Sequence, residues 1–254
     1  MKIDCHCHTR RGSIDAKVGI EEYAGILKSQ GFGGMLVTDH NSYSGYYGWE
    51  KVLEKTHRFD DFVVLQGIEY DTRDAGHILV IMPDGVNMHL FETRGMKMRQ
   101  LIETVHEFGG ILGPAHPFGN RPFSFAGHPK MMTDLHILEQ IDFIEAFNTC
   151  EPAVSNQMAA LLARSLGKPA FGGSDSHRRA DVATAFTEFS VPIRCNDDFI
   201  RAVRDRQVAA CGGTERDKKK KAEHALGFLY RVYNNSLWVM RTPSRVRQLR
   251  RLEA

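Results

Sequence analysis

Short apolar runs alternate with amphipathic stretches along most of the chain. The runs are rich in Val, Ile, Leu and Phe and are bounded by Gly, Pro or Asp, which is the pattern of short buried strands. They predict strands at residues 3–8, 34–38, 62–68, 77–82, 110–114, 143–147, 169–172 and 185–191. Apolar residues at helical spacing predict helices between them, at residues 19–30, 46–57, 95–108, 131–139, 152–166 and 197–206.

Strands that alternate with helices indicate an α/β fold with parallel strands and crossover helices. The number of such units favours closure into a barrel over an open sheet. The first predicted helix shows the pattern clearly, with Ile20, Tyr23 and Leu27 on one face. Gly31 follows, and we expect it just after the helix C-terminus, where a left-handed backbone is common.

Composition places the chain among ordinary globular proteins. It has 254 residues, of which 42% are hydrophobic and 25% charged, so a wholly disordered or collagen-like chain is excluded. We find no signal-peptide pattern and no apolar run that approaches the roughly 18 residues of a membrane span. The five cysteines are scattered, as expected for reduced thiols. We therefore expect a cytoplasmic protein without a membrane partner.

Charge divides the chain unevenly. The net charge of +2 demands no nucleic-acid partner, but residues 215–254 carry 11 of the 33 basic residues and only four of the 31 acidic ones. We predict a compact domain over 1–214 and a basic extension over 215–254. Amphipathic spacing, as at Leu226, Leu229 and Tyr233, predicts that the extension is helical and packs on the barrel or on a partner subunit in a homo-oligomer. We interpret the lysine run at 218–221 as a solvated surface.

Histidine and carboxylate residues recur where the predicted strands end. In parallel α/β barrels the carboxyl ends of the strands form one face, and the loops there build the site. Six segments bring such residues toward this face, although His77 opens its strand and needs a short turn to reach it. The residues are His6, His8, Asp39, His40, Glu69, His77, His116, Asp175 and His177.

Spacing in the first strand separates the histidines from their cysteine neighbours. His6 and His8 share one direction, because side chains two residues apart on a strand point the same way. Cys5 and Cys7 therefore point away from them, toward apolar packing. We interpret these thiols as part of the core rather than as ligands.

The remaining donors are imidazoles and carboxylates, which suit zinc, manganese or iron without choosing among them. A set rich in carboxylate and free of thiolate favours a catalytic metal site over a structural one. Asp39 directly precedes His40, and neighbouring side chains on a strand point to opposite faces. We therefore expect Asp39 to support a ligand or fix a loop. For Glu145 and Asn148 two interpretations stay open: contact with the ligands or substrate, and a buried carboxylate bonded to backbone or arginine.

The order of these motifs resembles the PHP family, named after polymerase and histidinol phosphatase members. The motifs are His-x-His at 6–8, Thr-Asp-His at 38–40, Gly-Ile-Glu at 67–69 with His77, Ala-His-Pro at 115–117 and Asp-x-His at 175–177. The resemblance covers roughly residues 3–190, and the ordered set is specific. The stretch Gly-Ile-Glu followed by His77 looks most like the small bacterial phosphoesterases of that family. The resemblance implies a distorted (β/α)7 TIM-like barrel with two or three divalent metal ions at its carboxyl face.

The resemblance also implies which residues hold each ion. Three sets follow: His6, His8, Glu69 and Asp175 for a first ion; Glu69, His77 and His116 for a second; and His40 with His177 for a third, which Asp15 would complete. Glu69 would thus bridge the first two ions through its two carboxylate oxygens.

The implied function is a metal-dependent phosphoesterase that hydrolyses a small phosphorylated substrate, such as a phosphomonoester or a nucleotide. A hydroxide that the ions activate would attack phosphorus in line, with Glu69, Asp175 and His177 as the catalytic residues. Arg121 is the preferred phosphate ligand, because its loop starts at a predicted metal ligand. Arg178 and Arg10 are further candidates for this role.

Three alternatives remain. An exonuclease on short oligonucleotides would use the basic extension, but the sequence has no basic stripe interleaved with aromatic residues. Amidohydrolase-type C–N or lactone hydrolysis often uses a carboxylated lysine at a strand's carboxyl end, whereas Lys2 and Lys168 lie where strands begin. A non-enzymatic binding module would have lost several of the candidate ligands, and this chain has lost at most one.

Overall fold

The structure is a computed structural model that describes residues 1–86, 88–119 and 122–215. Strands and helices alternate along this part of the chain. The strands are β1 (Lys2–Cys7), β2 (Gly34–Val37), β3 (Val63–Gln66), β4 (Ile68–Asp71), β5 (His77–Ile81), β6 (Ile111–Pro114), β7 (Ile144–Asn148), β8 (Ala170–Gly173), β9 (Ala185–Phe189) and β10 (Val208–Gly213). The α-helices are α1 (Ile20–Ser29), α2 (Tyr47–Leu53), α3 (Met98–Glu107), α4 (Pro129–Thr133), α5 (Leu135–Gln140), α6 (Ala153–Leu166) and α7 (Asn196–Arg204).

The strands form three hydrogen-bonded sheets. The first has the order β10-β9-β1-β2-β3, the second has the order β4-β5-β6, and the third pairs β7 with β8. Strands β1, β2 and β3 run parallel, as do β7 and β8. Strand β9 is antiparallel to β1 and β10, and β5 is antiparallel to β4 and β6. The predicted α/β class is therefore confirmed, with a mixed rather than a parallel arrangement.

A closed barrel is not shown by the described strands, which corrects that part of the (β/α)7 prediction. The strand predicted over 62–68 divides at Gly67 into β3 and β4, which belong to different sheets. Between β8 and β9, the Thr187 hydroxyl accepts from Gly172 N at 2.8 Å and donates to Gly172 O at 3.0 Å. A side chain thus links these two strands where a barrel would need a backbone ladder.

The antiparallel direction of β5 explains how His77 reaches the ends of the other strands. In the register of β4 and β5, His77 lies opposite Asp71, the last residue of β4. The first residue of β5 is therefore at the carboxyl end of β4, close to Glu69. The sequence predicted a short turn that would bring His77 to the site, and the structure achieves this by reversing the direction of β5 relative to β4.

Buried apolar side chains form three clusters around the sheets. Leu101 on α3 belongs to the first, and the stacked rings of Phe143 and Phe171, with centroids 4.1 Å apart, belong to the second. Tyr23 and Leu27 place the predicted apolar face of α1 in the third. Each large apolar side chain buried in this way contributes on the order of 1.5–3 kcal/mol. The clusters fix the strands whose ends carry the candidate ligands.

Some element boundaries differ from those predicted. The helix expected over 131–139 is divided into α4 and α5 at Asp134, whose side chain accepts from Ile137 N at 3.3 Å and so caps α5. Strand β10 was not predicted, because its sequence holds two glycines and little alternation. Gly31 has a φ of 80°, the left-handed backbone expected just after α1.

No helix in the described part of the chain combines the length and apolar character that a membrane crossing needs. The basic extension predicted over 215–254 lies outside the described residues, apart from its first residue. Its predicted helix and its part in a homo-oligomer stay predictions.

Candidate metal centre

The ends of separate strands bring the predicted ligands together. Cys7, at the end of β1, forms an isolated parallel β-bridge with Ser176. His40, after β2, forms another with Glu69 on β4. Three groups of imidazole and carboxylate atoms form there, and the atoms of each group lie within 4.8 Å of one another. The groups are His6–His8–Asp175, His40–Glu69–His77 and His8–His40–His177.

One oxygen of the buried Glu69 carboxylate faces the β5 and β6 side of the site. Glu69 Oε1 lies 2.8 Å from His77 Nδ1 and 2.9 Å from His116 Nε2. The backbone of His116 follows β6, and His77 begins β5. Two histidines from antiparallel neighbours thus approach the same oxygen.

The other oxygen of Glu69 faces different histidines. Glu69 Oε2 lies 2.8 Å from His40 Nδ1. It lies 3.3 Å from His8 Nε2 and 3.5 Å from His6 Nε2. None of these three contacts has the geometry of a hydrogen bond, so Oε2 is buried without a hydrogen-bond partner. A carboxylate whose two oxygens face two sets of imidazoles has the geometry required to bridge two cations.

His6, His8 and Asp175 form the deepest group. His6 Nε2 and His8 Nε2 lie 3.0 Å apart, and Asp175 Oδ1 lies 3.1 Å from His8 Nε2 and 3.6 Å from His6 Nε2. Ligands at about 2.0–2.1 Å from a tetrahedral zinc ion are separated from one another by about 3.3 Å. The three donor atoms therefore already have the spacing of ligands to one ion.

Asp15, His40 and His177 lie at the rim. Asp15 Oδ2 is 3.4 Å from His177 Nε2 and 3.8 Å from His40 Nε2. The side chains of Asp15, His177 and His40 are 37%, 25% and 14% exposed, whereas those of His6 and His8 are fully buried. The structure thus places Asp15 beside the two histidines with which it was grouped, and His40 also contacts the central carboxylate.

Glu145 contacts two of the predicted ligands on the side that faces away from the other donor atoms. Its Oε1 lies 2.8 Å from His6 Nδ1, which leaves His6 Nε2 facing the site. Its Oε2 accepts from His116 N and, at 3.1 Å, from Asn148 Nδ2. Asn148 Nδ2 also lies 3.3 Å from Asp175 Oδ2. Both interpretations left open for Glu145 and Asn148 are therefore observed in part: the two side chains contact candidate ligands, and the buried Glu145 carboxylate also bonds to the backbone at His116 N.

Two predicted ligands have a left-handed backbone. The φ angle is 30° at His116 and 50° at Asp175. Such values are uncommon for residues other than glycine, and the surrounding structure must hold them. His116 N donates to Glu145, and Asp175 N donates to His6 O at 2.9 Å. Contacts from other strands therefore maintain the reversed backbone that presents both side chains.

Burial and mutual charge shift the pKa values of the cluster. Burial alone would lower the pKa of His40, but the charges of Glu69 and Asp15 raise it to about 9. Burial and the positive charge of His177 lower the pKa of His8 to about 3. Because metal ions and protons compete for the same nitrogens, binding of a cation here would release protons.

The donor set fits divalent metal ions. Every candidate donor is an imidazole nitrogen or a carboxylate oxygen, a mixture that suits zinc, manganese or iron. The thiols of Cys5 and Cys7 are buried in the core clusters instead. Glu69 Oε2 and His177 Nε2 are buried without hydrogen bonds, which is costly for polar atoms unless an ion satisfies them. The residues present therefore match the predicted cofactors.

The predicted phosphate-binding arginines have different positions. Arg178 directly follows His177, and Arg10 lies in the loop between β1 and α1 that also carries Asp15. Arg178 and Arg10 are both exposed. Arg121 lies outside the described residues.

Ser13 belongs to the site but was not predicted from the sequence. The Ser13 hydroxyl lies 3.0 Å from His8 Nδ1 and donates to Asp39 Oδ1 at 2.8 Å. Asp39 also accepts from Thr9 N at 2.6 Å, which places it in the loop-fixing position expected from the sequence. The closeness of Ser13 to the His-x-His motif was visible in the sequence, but its contact with Asp39 joins residues on different loops.

Comparisons with known proteins bear on the family. A family model described as PHP-associated matches residues 154–208, a range that includes Asp175 and His177. No curated protein matches the chain. PsfC from Pseudomonas syringae PB-5123 has a similar structure, with a TM-score of 0.60 and 17% identity over 93% of this chain and 98% of its own.

These findings confirm the resemblance to the PHP family.

Two further solved structures have a similar fold. A protein from Bifidobacterium adolescentis, provisionally named a metal-dependent phosphoesterase, has a TM-score of 0.58 and 15% identity over 81% of this chain and 96% of its own. Endonuclease Q, in complex with a 27-mer duplex that carries an abasic lesion, has a TM-score of 0.60 and 18% identity over 84% of this chain. This chain matches only 60% of Endonuclease Q.

Proposed function

We propose that this protein is a metal-dependent hydrolase that cleaves a phosphoester bond in a small phosphorylated substrate. The observation that carries the proposal is the Glu69 carboxylate, buried among five imidazoles with its two oxygens facing different histidines. This arrangement supports two ions that share Glu69. The likeness in fold to a protein named as a phosphoesterase supports the same bond type.

The ligand sets follow the predicted ones. His6, His8 and Asp175 would hold one ion with Glu69, and His77 with His116 would hold a second one on the other oxygen. His40, His177 and Asp15 would hold a third at the rim. Bound divalent ions would lower the pKa of a water molecule and draw charge from phosphoryl oxygens.

The side chains of the site have distinct tasks in this proposal. Glu69 and Asp175 bring negative charge that keeps the cations close together. His177, partly exposed at the rim, is positioned to meet the incoming phosphate group. Arg178 and Arg10 are the described residues that would bind the other phosphate oxygens through charge-assisted hydrogen bonds. Arg121 keeps the same proposed role from the sequence.

Nucleic acid is the second candidate substrate, because the fold resembles that of Endonuclease Q with a DNA duplex. The bond cleaved would still be a phosphoester. C–N or lactone hydrolysis is less supported, since Lys2 begins β1 and the Lys168 ammonium donates to Glu139 O at 2.7 Å, away from the candidate ligands.

A substrate panel tests the proposal. The purified chain would be stripped of metal, reconstituted separately with zinc, manganese and iron, and assayed on phosphomonoesters, phosphodiesters, short oligonucleotides, amides and lactones. We expect metal-dependent release of phosphate or of a phosphomonoester. Hydrolysis of oligonucleotides that weakens steeply with salt would favour the nucleic-acid candidate. Full turnover in chelated protein would refute the proposed function.

A further inference from the structure

The ring of His8 is oriented by a buried hydroxyl. Ser13, only 2% exposed, places its Oγ 3.0 Å from His8 Nδ1. A turn holds Ser13 there, since Ser13 N donates to Thr9 O at 2.9 Å. The opposite nitrogen, His8 Nε2, faces His6 Nε2 at 3.0 Å and Asp175 Oδ1 at 3.1 Å.

Asp39 takes the only proton of that hydroxyl. Ser13 Oγ donates to Asp39 Oδ1 at 2.8 Å. The carboxylate is already committed as an acceptor, because Thr9 N donates to Oδ1 at 2.6 Å and Thr9 Oγ1 donates to Oδ2 at 2.7 Å. A hydroxyl has one proton and two lone pairs. Every further hydrogen bond to Ser13 Oγ must therefore be one in which the serine oxygen accepts.

The lone pairs of Ser13 have two donors in reach. His40 N donates to Ser13 Oγ at 3.1 Å, and His8 Nδ1 is the remaining neighbour. His8 can bond to Ser13 only if the imidazole proton is on Nδ1. The lone pair of His8 must then be on Nε2, the nitrogen that faces the other candidate ligands.

We propose that Ser13 and Asp39 form a hydrogen-bond relay that fixes His8 as the Nδ1-protonated tautomer and so makes Nε2 a metal ligand. The relay deepens the proposed metal centre and rests on it. Ser13 and Asp39 are positioning residues, because they act through His8. His8 belongs to two of the three candidate ligand groups, so its tautomer affects both.

His6 provides an internal comparison. Its Nδ1 contacts the Glu145 carboxylate directly, at 2.8 Å. A carboxylate can only accept here, so it sets the His6 tautomer without an intermediary. His8 instead contacts the hydroxyl of Ser13, which by itself could either donate a hydrogen bond to the ring or accept one from it. Because Ser13 Oγ donates its proton to Asp39, it can only accept from His8.

The tautomer can be measured without turnover. Protein labelled with 15N in its histidine rings would be examined by NMR, both metal-free and loaded with zinc. We expect the proton of His8 on Nδ1 in the unaltered chain. In Ser13→Ala the Nδ1 proton loses its acceptor, and the Nε2-protonated form becomes populated in the metal-free protein. A proton on Nε2 of His8 in the unaltered chain overturns the relay, even if Ser13→Ala does not fold.

Zinc affinity, measured by competition with a chelator, provides the second readout. Ser13→Ala is expected to weaken zinc binding about 10- to 100-fold, the usual effect of losing an outer partner of a ligand. Asp39→Asn keeps an acceptor oxygen for Ser13 and Thr9, so its zinc affinity should stay within about threefold of the unaltered chain, whereas Asp39→Ala should match Ser13→Ala. Equal zinc affinity in Ser13→Ala and the unaltered chain contradicts the relay.

Thr38→Val is the matched control. The Thr38 hydroxyl is fully buried next to Asp39 and bonds to the backbone of Cys7, at 3.0 Å from Cys7 N. Its removal should leave both the His8 tautomer and the zinc affinity unchanged. If Thr38→Val shifts the tautomer as much as Ser13→Ala does, the effect is general and the relay is wrong. Failure of the unaltered chain to bind zinc, manganese or iron would instead overturn the proposed function, and the metal-free tautomer would still decide the relay.

Discussion

The inner and outer halves of the candidate metal centre are built differently. The inner half, with His6, His8 and Glu69, has fully buried side chains. In the outer half, Asp15 is 37% exposed and His177 is 25% exposed. Buried, pre-oriented donors lose less freedom when an ion binds, and water screens them less. For the three proposed ions, we therefore expect a tightly held inner pair and a weaker, exchangeable ion at the rim.

The contacts that orient the histidine rings also differ between the inner half and the rim. His6 is held by Glu145 at 2.8 Å and His8 by Ser13 at 3.0 Å. At the rim, His177 Nδ1 lies 2.9 Å from the backbone oxygen of Asp175, a neutral acceptor. A carboxylate partner on a ligand's second nitrogen raises its basicity more than a neutral carbonyl does, and for His8 the carboxylate of Asp39 acts through Ser13. The difference predicts a gradient of affinity from the inside to the rim.

Removal of metal should have the largest effect and should reveal the gradient. We expect dialysis against a chelator to release metal in two phases, the rim ion first, and to abolish turnover once both phases are complete. Turnover should return when zinc, manganese or iron is restored. Metal content and turnover would be measured in the same samples. Release in a single phase would contradict the distinction between the two halves.

Glu69→Gln should have the next largest effect. The amide keeps the shape of the side chain but places an NH2 donor among imidazole nitrogens, so it cannot bridge two ions. Loss of several kcal/mol of charge stabilisation corresponds to a fall in kcat/KM on the order of 10³-fold or more. Glu188→Gln, on β9 opposite Lys2, is the matched control and should behave like the unaltered chain. If Glu69→Gln keeps its metal and its turnover, the bridging role is wrong.

Asp15→Asn should affect only the rim. The amide retains an oxygen but removes the charge, so we expect the weakest-bound ion to lose about 10- to 100-fold in affinity, the scale of losses around metal sites. The inner ions should bind as before, as a calorimetric titration with manganese would resolve. A loss of inner-site affinity in this variant would show that the two halves are not separable.

Arg178→Ala should have the smallest effect. Loss of one charge-assisted contact with phosphate is expected to raise KM about tenfold, equivalent to about 1.4 kcal/mol, without changing the bound metal. Arg99→Ala is the control, because Arg99 is equally a surface arginine but pairs with Asp134. Equal KM values for Arg178→Ala and Arg99→Ala would remove Arg178 from the phosphate site.

The positions of the candidate ligands were accessible from the sequence because their signals are local. His6 lies on β1 and His8 directly follows it, while Glu69 lies on β4 and His116 follows β6. Such residues are polar groups in otherwise apolar runs, and burial of polar groups requires a partner or an ion. The sequence pattern therefore predicted the cluster that the fold forms.

The sheet arrangement and the supporting contacts were not accessible in the same way. The split at Gly67 and the antiparallel direction of β5 depend on which strands pair, which the order of apolar runs leaves open. The contacts of Ser13 with Asp39 and of Glu145 with His6 join residues 26 and 139 positions apart. Only the folded chain brings those partners together.

The most direct test of the proposed metal centre is a crystal structure of the metal-loaded protein with anomalous scattering data. We expect an ion coordinated by His6 Nε2, His8 Nε2 and Asp175 at about 2.0–2.2 Å, with Glu69 reaching a second ion beside His77 and His116. Loaded crystals without an anomalous peak among these side chains would contradict it.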